Sequence, residues 1–126
     1  GVRRGSRAGQ GAIVKHASVA RCETSGTAAA CATWKAALEM LTRNLDHELA
    51  KDKVRVDAVA PGTIVAPLTE RTRSDPESRA KFLARIPLRR FGDPDEVARP
   101  VVFLASEMAS YITGAILPID GGMLTV

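Results

Sequence analysis

Four side chains in the first third of the sequence have the types and spacings that chemistry at a carbonyl or an ester requires. Lys35 follows Cys31 by four residues, and His16 precedes Ser18 by two. On a helix, a spacing of four puts two side chains on one face, so the Lys35 ammonium would lie near the Cys31 thiol. On a strand, a spacing of two does the same for His16 and Ser18. The sequence therefore predicts a hydroxyl, a thiol and two basic groups, arranged in two same-face pairs.

Hydrophobic periodicity predicts the elements that hold these pairs. Residues 12–19 form a mostly apolar, β-branched run, which is typical of a parallel strand covered on both faces. Apolar residues then recur at spacings of three and four, which predicts a helix of about five turns. These residues are Cys31, Trp34, Leu38, Leu41, Leu45 and Leu49.

A second strand and a long connection follow. Residues 54–60 alternate in polarity and then meet Pro61 and Gly62, which predicts a strand that ends in a loop. Residues 63–90 are polar and charged with scattered apolar side chains. We expect one or two short helices there, in an excursion from the sheet.

The last third of the sequence predicts one more helix and one more strand. The series Asp93-Pro94-Asp95-Glu96 has the residue types favoured at a helix start, so we predict a helix that runs to about Ser106. Pro100 lies inside it and predicts a kink. Residues 115–119 predict a third strand.

Strands that alternate with helices indicate an α/β fold with a parallel sheet and right-handed crossovers. About three strands are few for such a sheet. The 126 residues have room for one domain, so we predict a single truncated domain over residues 1–126, with residues 1–10 as a flexible segment. The sequence begins at Gly1 and resembles a piece of something longer.

The order and spacing of these motifs resemble the short-chain dehydrogenase/reductase family from about Gly11 to Gly122. The motifs are the strand that leads to Ser18, the run ACATWKAAL, and the segments VRVDAVAPGTI, RFGDPDEVARPVVFLAS and ITGAILPIDGG. The resemblance implies a partial Rossmann-type parallel sheet that lacks the amino-terminal dinucleotide-binding half. It also implies an oxidoreductase that transfers hydride between NADP or NAD and a small carbonyl or alcohol substrate.

The resemblance also implies roles for individual residues. Ser18 matches the serine that polarises the substrate oxygen, thirteen residues before the family's tyrosine position. Lys35 matches the lysine that lowers the tyrosine pKa and holds the nicotinamide ribose. Cys31 stands at the position of that tyrosine, the proton donor. The segment matched to cofactor contacts comprises Pro61, Gly62, Thr63 and Ile64.

Three departures from the family pattern predict impaired catalysis. The Cys31 thiol is shorter than a phenol and reaches less far toward a substrate oxygen. Ala66 occupies the position of a threonine that contacts the nicotinamide carboxamide in the family. The glycine-rich turn that binds the cofactor's pyrophosphate in the family does not occur in these 126 residues. The glycines at 114, 121 and 122 match the carboxy-terminal motif and are interpreted as turn residues.

Two other functions remain open on the sequence. The chain could be a non-catalytic, degenerate relative that serves assembly or interaction. It could also be a hydrolase that uses Ser18 or Cys31 as nucleophile with Lys35 or His16 as base. Tyr111 matches a structural position and is not a substitute for the missing phenol.

Composition narrows the classes of partner. The net charge of +4 is spread among acids, which argues against nucleic acid binding. No apolar run is long enough to cross a bilayer, and the two cysteines have no metal-ligand spacing. We therefore predict a cytoplasmic protein without a metal. The apolar residues of the long helix, Trp34, Leu38 and Leu41, predict a homo-oligomer.

Overall fold

The computed structural model describes residues 11–19 and 29–125, with side chains in the first helix described from Ala32 onward. The predictions for residues 1–10 and for the turn at 23–26 lie outside these residues. The strands are β1 (Gly11–His16), β2 (Val54–Pro61) and β3 (Ile116–Ile119). The α-helices are α1 (Ala29–Leu49), α2 (Glu70–Ser74), α3 (Pro76–Ala84) and α4 (Pro94–Ala105).

The three strands form one parallel sheet in the order β1-β2-β3, which confirms the predicted α/β architecture. β2 is central and is buried from Val56 to Pro61. Because both of its faces are covered, its sequence contains apolar residues at consecutive positions, with Asp57 as the one charged residue among those that are buried.

The predicted first strand is wrong at its carboxyl end, since β1 stops at His16 and not at Val19. One more hydrogen bond joins the chain to β2 beyond this point: the Ala17 N–H donates to the Val59 carbonyl at 2.7 Å. The next bond would have to come from the N–H of Pro61, which proline lacks. The strand therefore ends where its neighbour can no longer donate.

The two long helices cover opposite faces of the sheet. On one face, Leu38 of α1 packs against a cluster that includes Ala58 and Ala60. On the other, Leu104 of α4 packs against Val59, with Val14 beside it. The helix predicted from Pro94 runs to Ala105 and continues as one α-helix through Pro100.

A buried polar link joins β2 to the end of α4. The Arg55 guanidinium donates to the carbonyls of Leu104 at 2.7 Å and Ser106 at 2.9 Å, which the last turn of the helix leaves unpaired. Its Nη1 also lies 3.5 Å from the buried carboxylate of Asp57. Burial raises the pKa of Asp57, and the Ala115 N–H and Arg55 oppose that rise.

Candidate functional site

Ser18, Lys35, His16, Pro61, Gly62 and Ile64 line one cleft at the carboxyl ends of β1 and β2, whereas Thr63 lines a second cleft described below. The first cleft has a volume of about 490 Å³. Its walls come from four parts of the chain: the end of β1, the helix α1, the loop that follows β2, and the start of α4. The lining residues with polar side chains are His16, Ser18, Lys35 and Thr69.

Lys35 is held in this cleft by the end of β1. Its Nζ donates a hydrogen bond to the His16 carbonyl at 3.0 Å. α1 contributes Lys35 from its second turn, and the side chain crosses the gap between helix and strand. The ammonium is therefore fixed beside the strand terminus that leads to Ser18.

Ser18 and His16 both line the cleft, as the two-residue spacing predicts. The physical basis differs from the prediction, because β1 ends at His16 and Ser18 lies in the turn beyond it. Position 31 lies in the first turn of α1, and the Cys31 side chain is outside the described residues. Tyr111 is fully exposed and precedes β3, so it lies toward the opposite end of the sheet.

The segment Pro61–Ile64 forms the floor between β2 and β3. Gly62 donates to the Ile119 carbonyl at 3.0 Å, and a Cβ on Gly62 would lie 2.9 Å from the Cα of Asp120. Only glycine permits this approach of the two backbones. The Val65 N–H is taken by the Gly92 carbonyl at 2.8 Å. The N–H groups of Thr63 and Ile64 have no acceptor in the described part of the chain.

Ala66 lines the cleft, and Thr69 closes the turn behind it. The Thr69 hydroxyl lies 2.7 Å from the Ile64 carbonyl and 3.1 Å from the Ala66 N–H. Because the Thr69 hydroxyl is hydrogen-bonded to backbone groups, it does not replace the hydroxyl that a threonine at position 66 would offer. Leu68 lies at the rim and is 94% exposed.

Sequence reasoning missed part of this site. Leu68 and Thr69 lie in the polar excursion after Pro67, where apolar residues have no regular period. Pro94 and Val97 enter from the start of α4, which the sequence identifies only as a helix. A helix start assigned at Pro94 could not show that its first turn faces the end of β2, because that contact depends on the crossover.

A second cleft, of about 540 Å³, lies at the ends of β2 and β3 and shares Ile64 with the first. Its charged side chains are already paired: Arg90 binds Glu96 through two hydrogen bonds of 2.7 Å. None of the candidate catalytic residues lines it.

Among the described residues, no group of three His, Cys, Asp or Glu side chains could hold a metal ion. No helix in the same part of the chain is long and apolar enough to span a membrane.

A parallel α/β sheet with a cleft at the carboxyl ends of its strands defines a Rossmann-like protein, in which ligands bind at that edge. The family model described as Enoyl-(Acyl carrier protein) reductase matches residues 2–124. The chain belongs to the short-chain dehydrogenase/reductase family.

The curated relatives that this chain matches are about twice its length or more. It is 47% identical over 90 residues to the 3-oxoacyl-[acyl-carrier-protein] reductase of Thermotoga maritima, covering 71% of this chain and 36% of the relative. It is 47% identical over 117 residues to Protein FixR of Bradyrhizobium diazoefficiens, covering 92% of this chain and 40% of the relative.

Solved structures of other dehydrogenases also match nearly all of this chain and about half of theirs. A putative NAD(P) dependent gluconate 5-dehydrogenase from Beutenbergia cavernae, with bound NADP at low occupancy, has a TM-score of 0.88 and 42% identity. The match covers 94% of this chain and 47% of that one. A 4-hydroxyisoleucine dehydrogenase complexed with NADH has a TM-score of 0.90 at 32% identity, over 93% of this chain and 48% of that one. The chain therefore spans about half of a family member.

Proposed function

We propose that this chain is the carboxy-terminal half of an NADP- or NAD-dependent oxidoreductase and forms the substrate side of its active site. The observation that carries the proposal is the position of Lys35. The cleft that contains Lys35, where its ammonium binds the His16 carbonyl, also contains Ser18, Pro61, Gly62 and Ile64. Ser18 is proposed to donate to the oxygen of a small carbonyl or alcohol substrate.

The described residues fit the nicotinamide end of the cofactor. Lys35 would hold the ribose, and the N–H groups of Thr63 and Ile64 would face the nicotinamide. The bound cofactor would supply the hydride. The groups that bind its pyrophosphate in the family belong to the amino-terminal half.

The substrate is proposed to be small, with an apolar part. The cleft wall that faces Ser18 and Lys35 is apolar, with Ile64, Val65 and Leu68 along it. With Cys31 at the tyrosine position, turnover is proposed to be weak. We also propose a cytoplasmic, homo-oligomeric protein that binds neither nucleic acid nor membranes.

The first test is a titration of NADPH and NADH into the purified chain, followed by nicotinamide fluorescence at a fixed oligomeric state. Saturable binding supports the proposal if the Lys35→Met variant binds at least about tenfold more weakly. That substitution removes a charged hydrogen bond to the cofactor. Lys51→Met, an exposed lysine outside the cleft, is the matched control. No saturation up to millimolar cofactor would contradict a cofactor site in this chain and favour a non-catalytic interaction protein.

A gain-of-function variant tests the catalytic half of the proposal. Cys31→Tyr restores a phenol four residues before Lys35, on the same helix face. We expect reduction of a small aldehyde or ketone by NADPH to rise over that of the unmodified chain. Cys31→Phe, which adds the ring without the hydroxyl, should show no rise.

The cleft also supports a second candidate, hydrolysis, because it contains Ser18 together with two possible bases, Lys35 and His16. In that reaction the Ser18 oxygen would take the acyl group of an ester and release the alcohol, and water would then free the acid. A fluorophosphonate probe distinguishes the candidates. Labelling that is lost in Ser18→Ala would favour the hydrolase, and no labelling would exclude it.

A further inference from the structure

The cleft beside Ser18 contains two basic side chains and no acidic one. Among the described residues that line it, those with a titratable side chain are His16 and Lys35. The acids at the start of α4 line a separate cleft together with Arg99; they are Asp93, Asp95 and Glu96. A cleft whose charge has one sign attracts ligands of the opposite sign. The charges around this cleft therefore favour an anionic ligand.

His16 reaches the cleft from the face of the sheet that α4 covers. It follows Val14 by two residues, so the two side chains lie on the same face of β1. Val14 and Val97 pack against one buried cluster on that face, and Val97 also lines the cleft. Because His16 is exposed, its imidazole can contact a ligand that lies beside Val97.

The two basic groups have different tasks. Lys35 comes from α1, on the other face of the sheet, and one of the three donors of its ammonium binds the His16 carbonyl. Within the described part of the chain, the His16 imidazole has no hydrogen-bond partner. It is therefore available to a ligand even when Lys35 is engaged.

We propose that the substrate of this cleft is a short oxo acid, and that His16 selects it by binding the carboxylate while Ser18 binds the carbonyl oxygen. The imidazole N–H donates to the carboxylate, and a hydrogen bond to a charged group is stronger than a neutral one. The positive charge of Lys35 adds to the attraction. The inference rests on the proposed function, because it names the substrate class of the same site.

The spacing of the two residues limits the length of the acid. Two residues of chain span at most about 7 Å, so the Cα atoms of His16 and Ser18 are no farther apart than that. An acid of about five carbons has its carbonyl and its carboxylate within this reach. Val65 and Leu68 of the cleft wall would contact the carbons between them.

Two matched ligands test the proposal without cofactor. Levulinate has the carboxylate, and levulinamide replaces it by a neutral amide of the same shape. An NMR titration of the full chain at pH 6, where a histidine can carry charge, follows the backbone amides of Ala17, Ser18, Val65 and Ala66. We expect shifts at these amides, and about tenfold tighter binding of levulinate than of levulinamide.

Variants of His16 separate selection from general binding. His16→Gln should reduce the ratio of the two affinities to about twofold, because it keeps a donor without a charge, and His16→Arg should restore the preference. His47→Gln changes the other histidine of the sequence, which is exposed on α1, and should leave the ratio unchanged. Ser18→Ala should weaken both ligands alike, since both have the carbonyl.

Equal affinities of levulinate and levulinamide, or a preference that His16→Gln leaves intact, would overturn the proposal. Failure of both ligands to bind, or shifts confined to amides outside the cleft, would overturn it as well. Because these titrations contain no cofactor, failure of the proposed function would appear in the titration with NADPH and NADH and would not change these ratios.

Discussion

Individual side chains in this molecule connect elements that are distant in sequence. Arg55, at the start of β2, binds the carbonyls at the end of α4, and Lys35 binds the carbonyl at the end of β1. Each donates to backbone carbonyls that lack a partner at the end of a helix or a strand. Such residues fix the geometry of the site without belonging to a local motif.

Replacing Arg55 by methionine should lower the free energy of unfolding by about 3 kcal/mol, because it leaves Asp57 as a buried carboxylate without its cation. Urea unfolding at pH 7, followed by circular dichroism, measures the change. Arg79→Met, an exposed arginine on α3, should change stability little. Equal stabilities of the two variants would show that Arg55 is not a structural link.

Replacing Ala66 by threonine should increase affinity for NADPH or NADH about fivefold, the effect of one added hydrogen bond. The backbone at position 66 is extended, with φ −154° and ψ 162°, which a β-branched residue adopts without strain. Fluorescence titration measures the affinity. Ala66→Val has the same shape without the hydroxyl, and an equal gain with valine would attribute the effect to packing.

At the scale of elements, the start of α4 is the clearest case of a local sequence signal that the structure uses. The Glu96 carboxylate accepts from the Asp93 N–H at 2.8 Å, as in half of a capping box, and also binds Arg90. These bonds, with that from Arg90 as the largest cause, lower the pKa of Glu96 from 4.5 to about 2. The ionised carboxylate of Glu96 therefore stabilises both the start of α4 and the turn at Arg90.

This predicts an acid-dependent contribution to stability. Because the folded pKa of Glu96 is lowered, its contribution is complete above pH 4.5 and is lost as the pH falls toward about 2. The melting temperature of Glu96→Gln should be lower than that of the unmodified chain at pH 7, and the two should converge near pH 2. Glu107→Gln, an exposed acid near the other end of α4, is the control. A constant difference over this pH range would exclude ionisation of Glu96 as the cause.

At the scale of the whole molecule, several large apolar side chains are exposed to solvent. Trp34 is 63% exposed and Leu41 47% exposed on the outer face of α1. After α4, Met108 and Tyr111 are exposed as well. Where exposed apolar side chains form a patch, they favour association with another protein surface.

We therefore predict that the chain self-associates through α1. Sedimentation velocity should show a species larger than 13.4 kDa at micromolar concentration. Trp34→Glu with Leu41→Glu should shift the chain toward monomer, because charges placed in an apolar interface are costly to bury. Leu68→Glu, which changes a more exposed leucine at the cleft rim, should not. A chain that sediments as a monomer at all concentrations would contradict the prediction.

The sequence by itself determined the parallel α/β class, the course of α1 from its apolar period, and the helix start at Pro94. These follow from local patterns, since each depends on residues within one or two turns. It also determined that Ser18 and Lys35 are the candidate polar groups and that Cys31 and Ala66 depart from the family.

Only the tertiary structure decided where β1 ends, because the missing donor is Pro61, on another strand. The same holds for the bond from Lys35 to the His16 carbonyl and for the entry of Leu68, Thr69 and Val97 into the cleft. It also holds for the buried Nζ of Lys15, which has no hydrogen-bond partner among residues 11–19 and 29–125. Each of these depends on which elements become neighbours, and that is set by the packing of the sheet and not by any single segment.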